Sequence, residues 1–505
     1  MLFVSMTNRL IGDYGVETDF YVAYVTQAKE LLKGNLVIDQ YRGPVYQFFL
    51  AITGIFFKFD YYSAGKFLNV LCASISLFFI SKIINSIFNR DGALFVVLFV
   101  AVNQIFWRYT YEPGTDMLFL LFYTSALYFL LSSKDLNNRN FLIAGILTGL
   151  AYLTRYTGIS LILLTTVIFV FHFYKMKRNE NNENINQRNK ILKPILSYII
   201  PVLLMLSAWG FISYQSTGYF FYNYNYQNTA YTVYKPDTMS KDEWTSKHQN
   251  TFNSMSDVVF RDFGAFAKRI SKNFVTYFTK DIFRFFPRYI GILAGFGLII
   301  FLLRFKFHSP AENYFFVASL IFYFQILLIF YSERFSLPLL PFYCFLIVQL
   351  FAQKFFQRFN LKFLNLKLFS IILFSLIFLN FYNSYNIAKE DINNVPIEIL
   401  EVRDHVEKLN EESMAGKSIM TRKPHIAYYL NMNLVVMPYA ENYLEFIQNV
   451  KNSNVDYVFV SEKEGLISSN ENLRKNLLSI ETPPNELEVI TYTSTPITIL
   501  YKVKK

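Results

Sequence analysis

Long apolar runs recur along the first 383 residues, and no other feature constrains the fold of this chain so strongly. A helix needs about 20 such residues to cross a bilayer, where backbone groups find no partner outside their own segment. The runs predict spans at 62–88, 92–108, 117–133, 140–155, 157–174, 194–214, 288–305, 312–331, 336–352 and 367–383. The run Met1–Gly12 is too short to cross and lacks the basic start and small-residue cleavage site of a signal peptide. It reads as the tail of a further span that begins before this sequence, or as a short N-terminus. The expectation is an α-helical polytopic membrane protein of about 11 spans.

Composition agrees. The chain is 53% hydrophobic and only 17% charged, which argues against disorder and against a soluble enzyme. Two cysteines, both in apolar runs, exclude a disulfide scaffold. The 56 Phe and 37 Tyr suit lipid contact and interfacial belts. A net charge of +11 would fit nucleic acid, but its distribution does not. Residues 384–505 hold 13 Lys/Arg against 17 Asp/Glu, so the excess lies entirely in the apolar part. No nucleic-acid partner is expected.

Basic residues between spans mark cytoplasmic loops. They fall at Lys82/Arg90, Lys134/Arg139, Lys175–Lys193, Arg304/Lys306 and Lys354–Lys367. Parity then places 13–61, 108–116, the turn Arg155–Gly158, 215–287 and 332–335 outside, together with the C-terminal tail. Residues 1–383 form one expected domain, the membrane domain. Residues 384–505 form the other, a small extracytoplasmic α/β domain. Its strand-like runs Leu434–Met437 and Tyr457–Ser461 alternate with helical periodicity at 396–410 and 441–452. His425 is a lone histidine there and reads as structural. The stretch 175–193 is Asn-rich and reads as a solvated linker. The Tyr/Asn-rich start of 215–287 suits sugar or headgroup contact, or an interfacial belt.

The polar residues that carry chemistry gather on the outer face. Asp19 precedes a run with Val22, Val25, Ala28 and Leu32 at helical spacing, an amphipathic helix along the membrane surface. Asp19 reads as the cap of that helix or as a general base, with Glu17 just before it. Tyr41-Arg42-Gly43-Pro44 breaks the chain, and Pro44 can start a membrane-embedded helix. Arg42 is a candidate phosphate ligand or a headgroup anchor. Glu112 and Asp116 open the next span, where a helix dipole favours carboxylates, or they orient a substrate or a basic side chain. Arg155 sits where two spans meet, and Glu333-Arg334 occupies another outer turn. An arginine at such a place is costly unless paired or used.

In order along the chain, these elements resemble the GT-C superfamily of polyprenyl-phosphate-sugar glycosyltransferases, closest to the protein O-mannosyltransferase and aminoarabinose transferase group. Thr18-Asp19 with its helix and Gly34 resembles the family's first-loop Asp motif. Arg42-Gly43-Pro44-Val45-Tyr46 resembles its basic-Pro-Pro-Leu-Tyr turn. GILTGLAYLTRYTG, from Gly145 to Gly158, is similar to its Gly-x-x-x-Gly-Leu-Ala-x-Leu-Thr-Arg segment. Glu333-Arg334-Phe335 with Pro338 and Pro341 resembles its Arg-Tyr-x-x-Pro-x-x-Pro span, and the tail resembles the extracytoplasmic domain of bacterial members. The chain departs in having Asp19-Phe20 for Asp-Glu and Gly43-Pro44 for Pro-Pro.

The resemblance implies an inverting transfer of a sugar from a polyprenyl-phosphate donor to an acceptor hydroxyl on the extracytoplasmic face of the cell membrane. The acceptor would be a protein, a glycolipid or a polysaccharide. Asp19 would be the catalytic base, and Arg42, Arg155 and Arg334 would bind the donor phosphate. Glu17, Tyr41, Glu112 and Asp116 would orient substrates. No cofactor or metal is required, although Asp19, Glu112 and Asp116 together would suit a hard divalent cation. The alternative is a lipid or sugar transporter without transferase activity.

Overall fold

The computed structural model describes residues 2–504 except 16, 133–135, 179–184, 221, 236–238, 240, 249–250, 352–359, 362–365, 410–413, 439, 465–470 and 482. Lys134, Lys354 and the centre of the Asn-rich stretch lie outside the described residues. The chain folds as two compact units. One comprises Met1–Leu2, Glu30–Met239 and Lys247–Glu390; the other comprises Phe3–Lys29, Ser240–Ser246 and Asp391–Lys505.

The first unit is helical. Helices Tyr61–Ile87, Thr115–Leu131, Asn138–Thr154, Ile159–Arg178, Ile185–Thr217, Arg288–Leu303, Pro310–Ile326, Leu340–Phe351 and Leu368–Asn393 fall on the expected spans. Among the described residues, five helices are long and apolar enough to cross a membrane, or up to six if the bent pair described next is one span. Among the described residues the other runs form shorter apolar helices, so the expected multi-pass helical architecture stands while the number of spans is not fixed by these helices. Pro44 stands at the N-cap of the apolar helix Val45–Phe56, where its missing N–H costs nothing.

One expected span is broken. The run 92–108 forms helices Arg90–Ala101 and Gln104–Tyr111, which meet at 59°. Asn103 explains the break. Its side-chain oxygen caps the second helix through the Ile105 and Phe106 amides, and its Nδ2 donates to the Phe285 carbonyl at 2.6 Å. A polar side chain that satisfies backbone groups locally competes with a continuous helix.

The glycines of the 145–158 segment serve packing. A Cβ at Gly145 would run into the Tyr198 carbonyl, so helices Asn138–Thr154 and Ile185–Thr217 approach closely only with glycine there.

The second unit is built on a five-stranded sheet with β1 Ser418–Thr421, β2 Asn433–Val436, β3 Tyr457–Ser461, β4 Leu487–Ser494 and β5 Ile497–Val503. The strand order is β2-β1-β3-β5-β4; β1 is parallel to β2 and β3, and β5 is antiparallel to β3 and β4. Side chains alternate between two cores, as a period of two requires. Ile419, Tyr457, Phe459 and Leu500 pack with Ile399, Val402 and Ile426 on one face. Met420, Val458, Ile499 and Tyr501 pack with Phe446, Ile447 and Val450 on the other. Helices Glu398–Lys408 and Tyr443–Asn452 match the expected periodicity. β1, β4 and β5 were not legible as strands. The N-terminal segment contributes Ile11 to the first of these cores.

Candidate active site

In the first unit, the ends of several helices are tied together by charge. Asp116 lies in the first turn of Thr115–Leu131, where the helix dipole favours a carboxylate. Arg155 is the C-cap of Asn138–Thr154 and is extended (φ −147°, ψ 130°), so its side chain leaves the helix end. Its Nη1 pairs with Asp116 Oδ1, and Arg334 Nε lies 3.5 Å from Asp116 Oδ2. The Phe335 ring faces both guanidinium groups, at 5.0 Å from Arg155 and 5.5 Å from Arg334. The two arginine side chains are 13% exposed and the Asp116 side chain 2%.

Beside this pair the balance reverses. Arg108 Nε meets Glu112 Oε1 at 2.8 Å, and its Nη1 lies 3.8 Å from Glu333 Oε1. Asn69 holds the same helix end through Nδ2, which donates to the carbonyls of Tyr109 (2.9 Å) and Glu112 (2.6 Å). The cluster therefore has a cationic pole, two guanidiniums on one carboxylate, and an anionic pole, two carboxylates on one guanidinium. Coulomb forces in such a partly dry setting are strong enough to sort substrate groups by charge.

The Arg42 turn is pinned to the same place. Asp39 Oδ1 accepts from the amides of Tyr41 (2.7 Å) and Arg42 (3.1 Å), and Oδ2 pairs with Arg42 Nη1 at 2.8 Å. This is the local turn that Asp favours through side-chain acceptance. Gly43 lies so tightly on the Leu153 carbonyl that no Cβ fits, and Tyr156 Oη donates to the Arg42 carbonyl at 3.4 Å. The segment that ends in Arg155 thus anchors the segment that carries Arg42. The Tyr/Asn-rich stretch covers this turn. The Tyr224 amide donates to the Gln40 carbonyl (2.8 Å), and Asn225 Nδ2 donates to the carbonyl of half-buried Tyr41 (3.2 Å). Residues 39–43, 108–116, 153–156, 224–225 and 333–335, most of them from loops expected outside, therefore gather within the first unit.

In the second unit, Asp19 is half-buried and helical (φ −61°, ψ −32°) and opens the π-helical stretch Phe20–Tyr24. Helix Val25–Leu32 follows. The Asp19 side chain makes no capping hydrogen bond, so the cap alternative is not what is built. Such π-turns recur at functional sites. Glu17 is fully buried. It pairs with the equally buried Arg9, and its Oε2 accepts from the Asp13 amide at 2.7 Å. Burial raises its carboxyl despite Arg9. Arg9 also donates to the Asp391 carbonyl at 3.3 Å. His425 is buried, as expected of a structural histidine. Its Nε2 meets the Asp13 carbonyl at 2.9 Å, and burial pushes its pKa down to about 3.

Three participants were missed. Arg9 lies in a run read as apolar, Asp39 was passed over beside Arg42, and Asp281 was taken as part of a loop. Asp281 is buried in helix Phe263–Phe285 and accepts from the hydroxyls of Tyr331 (3.0 Å) and Tyr343 (3.1 Å). Burial raises its carboxyl to about 7. The expectation of a divalent cation on Asp19, Glu112 and Asp116 loses a ligand, because both Asp116 oxygens face guanidinium groups.

Residues 41–186 match the family model described as dolichyl-phosphate-mannose-protein mannosyltransferase. The fold is similar to that of ArnT from Cupriavidus metallidurans bound to undecaprenyl phosphate, at 10% identity and a TM-score of 0.58, over 99% of this chain and 95% of that one. It is also similar to the archaeal oligosaccharyltransferase AglB from Archaeoglobus fulgidus, in complex with an inhibitory peptide and a dolichol-phosphate. That likeness has 13% identity and a TM-score of 0.56, over 91% of this chain and 68% of that one. No curated protein matches the chain by sequence. The family-model match over residues 41–186 and the shared fold agree with the resemblance to GT-C polyprenyl-phosphate-sugar glycosyltransferases.

Proposed function

We propose that this protein is a GT-C-type transferase that moves a sugar from a polyprenyl-phosphate donor to an acceptor hydroxyl at the extracytoplasmic face of the cell membrane, with inversion. The carrying observation is the cationic pole: Arg155 and Arg334 around Asp116, with the Arg42 turn anchored on the segment that ends in Arg155. In the reaction the bond from the anomeric carbon to the phosphate oxygen breaks, and negative charge grows on the leaving phosphate. Preorganised guanidiniums stabilise that charge without reorganising at the moment of reaction. Undecaprenyl phosphate, the lipid bound to ArnT, is the product such a donor leaves once its sugar has gone.

Asp19 takes the proton of the acceptor hydroxyl as its oxygen attacks the anomeric carbon from the opposite side. A half-buried carboxylate at the opening of a π-helical stretch supports that role. Glu112 and Glu333 form the anionic pole and suit hydroxyl groups of the sugar or acceptor. Tyr41 and the covering tyrosines suit sugar faces. The acceptor, whether protein, glycolipid or polysaccharide, is met on the extracytoplasmic side.

The test compares surface glycans by mass spectrometry in a deletion strain, in that strain with the wild-type gene, and in that strain with Asp19→Asn at matched protein level. A glycan that loses one sugar in the deletion should return with wild type and not with Asp19→Asn. Full restoration by Asp19→Asn would defeat the assignment of the base, and no change in the deletion would defeat the transferase.

A further inference from the structure

Strands β1 and β3 run side by side and parallel, and the chain leaves their C-terminal ends in opposite directions. β1 continues through Arg422, Lys423 and the short helix His425–Tyr429 to β2 on one side. β3 continues through Glu462–Glu464, and the next strand in the chain is β4, at the other edge of the sheet. In open α/β sheets such a divergence makes the crevice where ligands bind. Here the crevice is taken up by the chain's own N-terminal segment, the one that carries Asp19.

The contacts run along the whole segment. His425 Nε2 holds the Asp13 carbonyl at 2.9 Å, and the His425 ring lies edge-on to Tyr14 at 4.8 Å. Tyr14 Oη donates to Glu398 Oε1 at 3.3 Å, and Lys463 Nζ meets Glu398 Oε2 at 3.5 Å. Lys423 Nζ donates to Thr18 Oγ1 at 3.5 Å. Beyond Asp19, the Tyr21 ring packs on His425 (4.6 Å) and Tyr428 (4.8 Å), and its hydroxyl accepts from the Gly12 amide at 3.0 Å. Residues 13, 14 and 18 before Asp19, and residue 21 after it, are thus held by one crevice wall.

This is a costly way to close a small sheet. Glu398 and Glu464 are polar groups taken out of water, Tyr14 is half-buried beside them, and Glu464 is satisfied within the crevice by Thr421 Oγ1 at 3.1 Å. An apolar contact would close the fold with less penalty. What the polar contacts add is direction: they fix the backbone on both sides of one carboxylate.

We infer that the switch-point crevice of the second unit is a holder for the catalytic segment, with His425, Lys423 and Tyr14 as positioning residues for Asp19. The inference rests on the reading of Asp19 as the base. A base works only within hydrogen-bond reach of its proton, and a misplacement of about 1 Å costs on the order of 100-fold in rate.

The experiment uses the full-length protein and the variants Lys423→Met, Lys423→Arg, His425→Ala and Asp19→Asn. Three quantities are measured: amide hydrogen exchange over residues 12–21, binding of undecaprenyl phosphate to purified protein, and return of the missing glycan in the deletion strain. Lys423→Met and His425→Ala should speed exchange at 12–21 and lower transfer on the order of 10- to 100-fold, with lipid binding unchanged. Lys423→Arg, which keeps the donor, should restore both. Unchanged exchange at 12–21 overturns the holder. So does wild-type transfer from a loosened segment while Asp19→Asn is inactive. Loss of lipid binding along with transfer overturns it too, since general damage would then explain the defect. If Asp19→Asn is fully active, the base assignment fails by itself, and the exchange data still report whether the crevice holds the segment.

Discussion

Asp116 and Glu17 are both buried carboxylates that face arginine, yet they sit in opposite charge settings. Asp116 in the first unit meets two guanidiniums whose side chains still reach solvent. Glu17 in the second meets one guanidinium that is as buried as itself, with Asp13 3.9 Å from the same Arg9 nitrogen. The first arrangement leaves positive charge in a place a ligand can reach. The second leaves no excess of positive charge and hides the Glu17–Arg9 pair from solvent. A buried ion pair is therefore weak evidence of a site on its own; charge ratio and exposure decide which kind it is.

The largest expected effect separates the two. Arg155→Ala should lower transfer on the order of 100- to 1,000-fold, the range for loss of one preorganised donor to developing negative charge, while the protein still folds. Arg155→Lys should recover only part, because an ammonium lacks the planar fork. Glycan return at matched protein level measures both. Arg9→Met should do the reverse. It strands the buried Glu17 carboxylate and should cost about 3–5 kcal/mol of stability, read as a lower Tm, with binding of undecaprenyl phosphate by the folded molecules retained. Equal loss of lipid binding in both would erase the distinction between the two carboxylates.

Gly43→Ala sharpens the cationic side. The added methyl must push against the Leu153 backbone carbonyl, which cannot swing away as a side chain would. The Arg42 turn should then lift from the segment that ends in Arg155. The expected result is transfer reduced on the order of 10- to 100-fold, with a raised KM for the lipid donor and little change in Tm. An unaltered KM would mean that the Arg42 turn is not part of donor binding.

The same contrast explains what could be read from residues alone. The helical unit was legible because apolar runs of span length have few other fates, and even the break at Asn103 changes direction rather than helicity. Asp116, Arg155 and Arg334 were legible because charge beside an apolar run is conspicuous. Their partnership was not, since residues 116, 155 and 334 meet only through the tertiary fold. Arg9 was hidden for a different reason: it lies inside an apolar run, and its own partner, Glu17, is what allows it to be buried there. In the sheet, β3 announced itself as Tyr-Val-Phe-Val-Ser, buried on both faces, whereas β4 alternates buried and exposed positions and reads as polar. Asp19 was found by motif, but the crevice that grips its segment is assembled from residues about 400 positions away, a distance no local pattern spans.

The smallest effect concerns the second unit's response to pH. Glu464 has its carboxyl raised to about 8 by burial, against the lowering influence of Thr421, Lys423 and Arg422. The unfolded chain would release that proton near the ordinary glutamate value of 4.5. Between these values the folded state holds a proton that the unfolded state has lost, so stability falls as pH rises from about 4.5 to about 8 and levels off above. Glu464→Gln keeps the shape and an acceptor for Thr421 but cannot ionise. Hydrogen exchange from β1 and β3 of the full-length protein, compared at the two ends of that range, should show a smaller loss of protection in Glu464→Gln than in wild type. Glu17 and Glu398, also raised by burial, keep some slope in place. An equal loss in both proteins would mean that Glu464 is already ionised in the crevice, and that Lys423 is drawn to it as well as to Thr18.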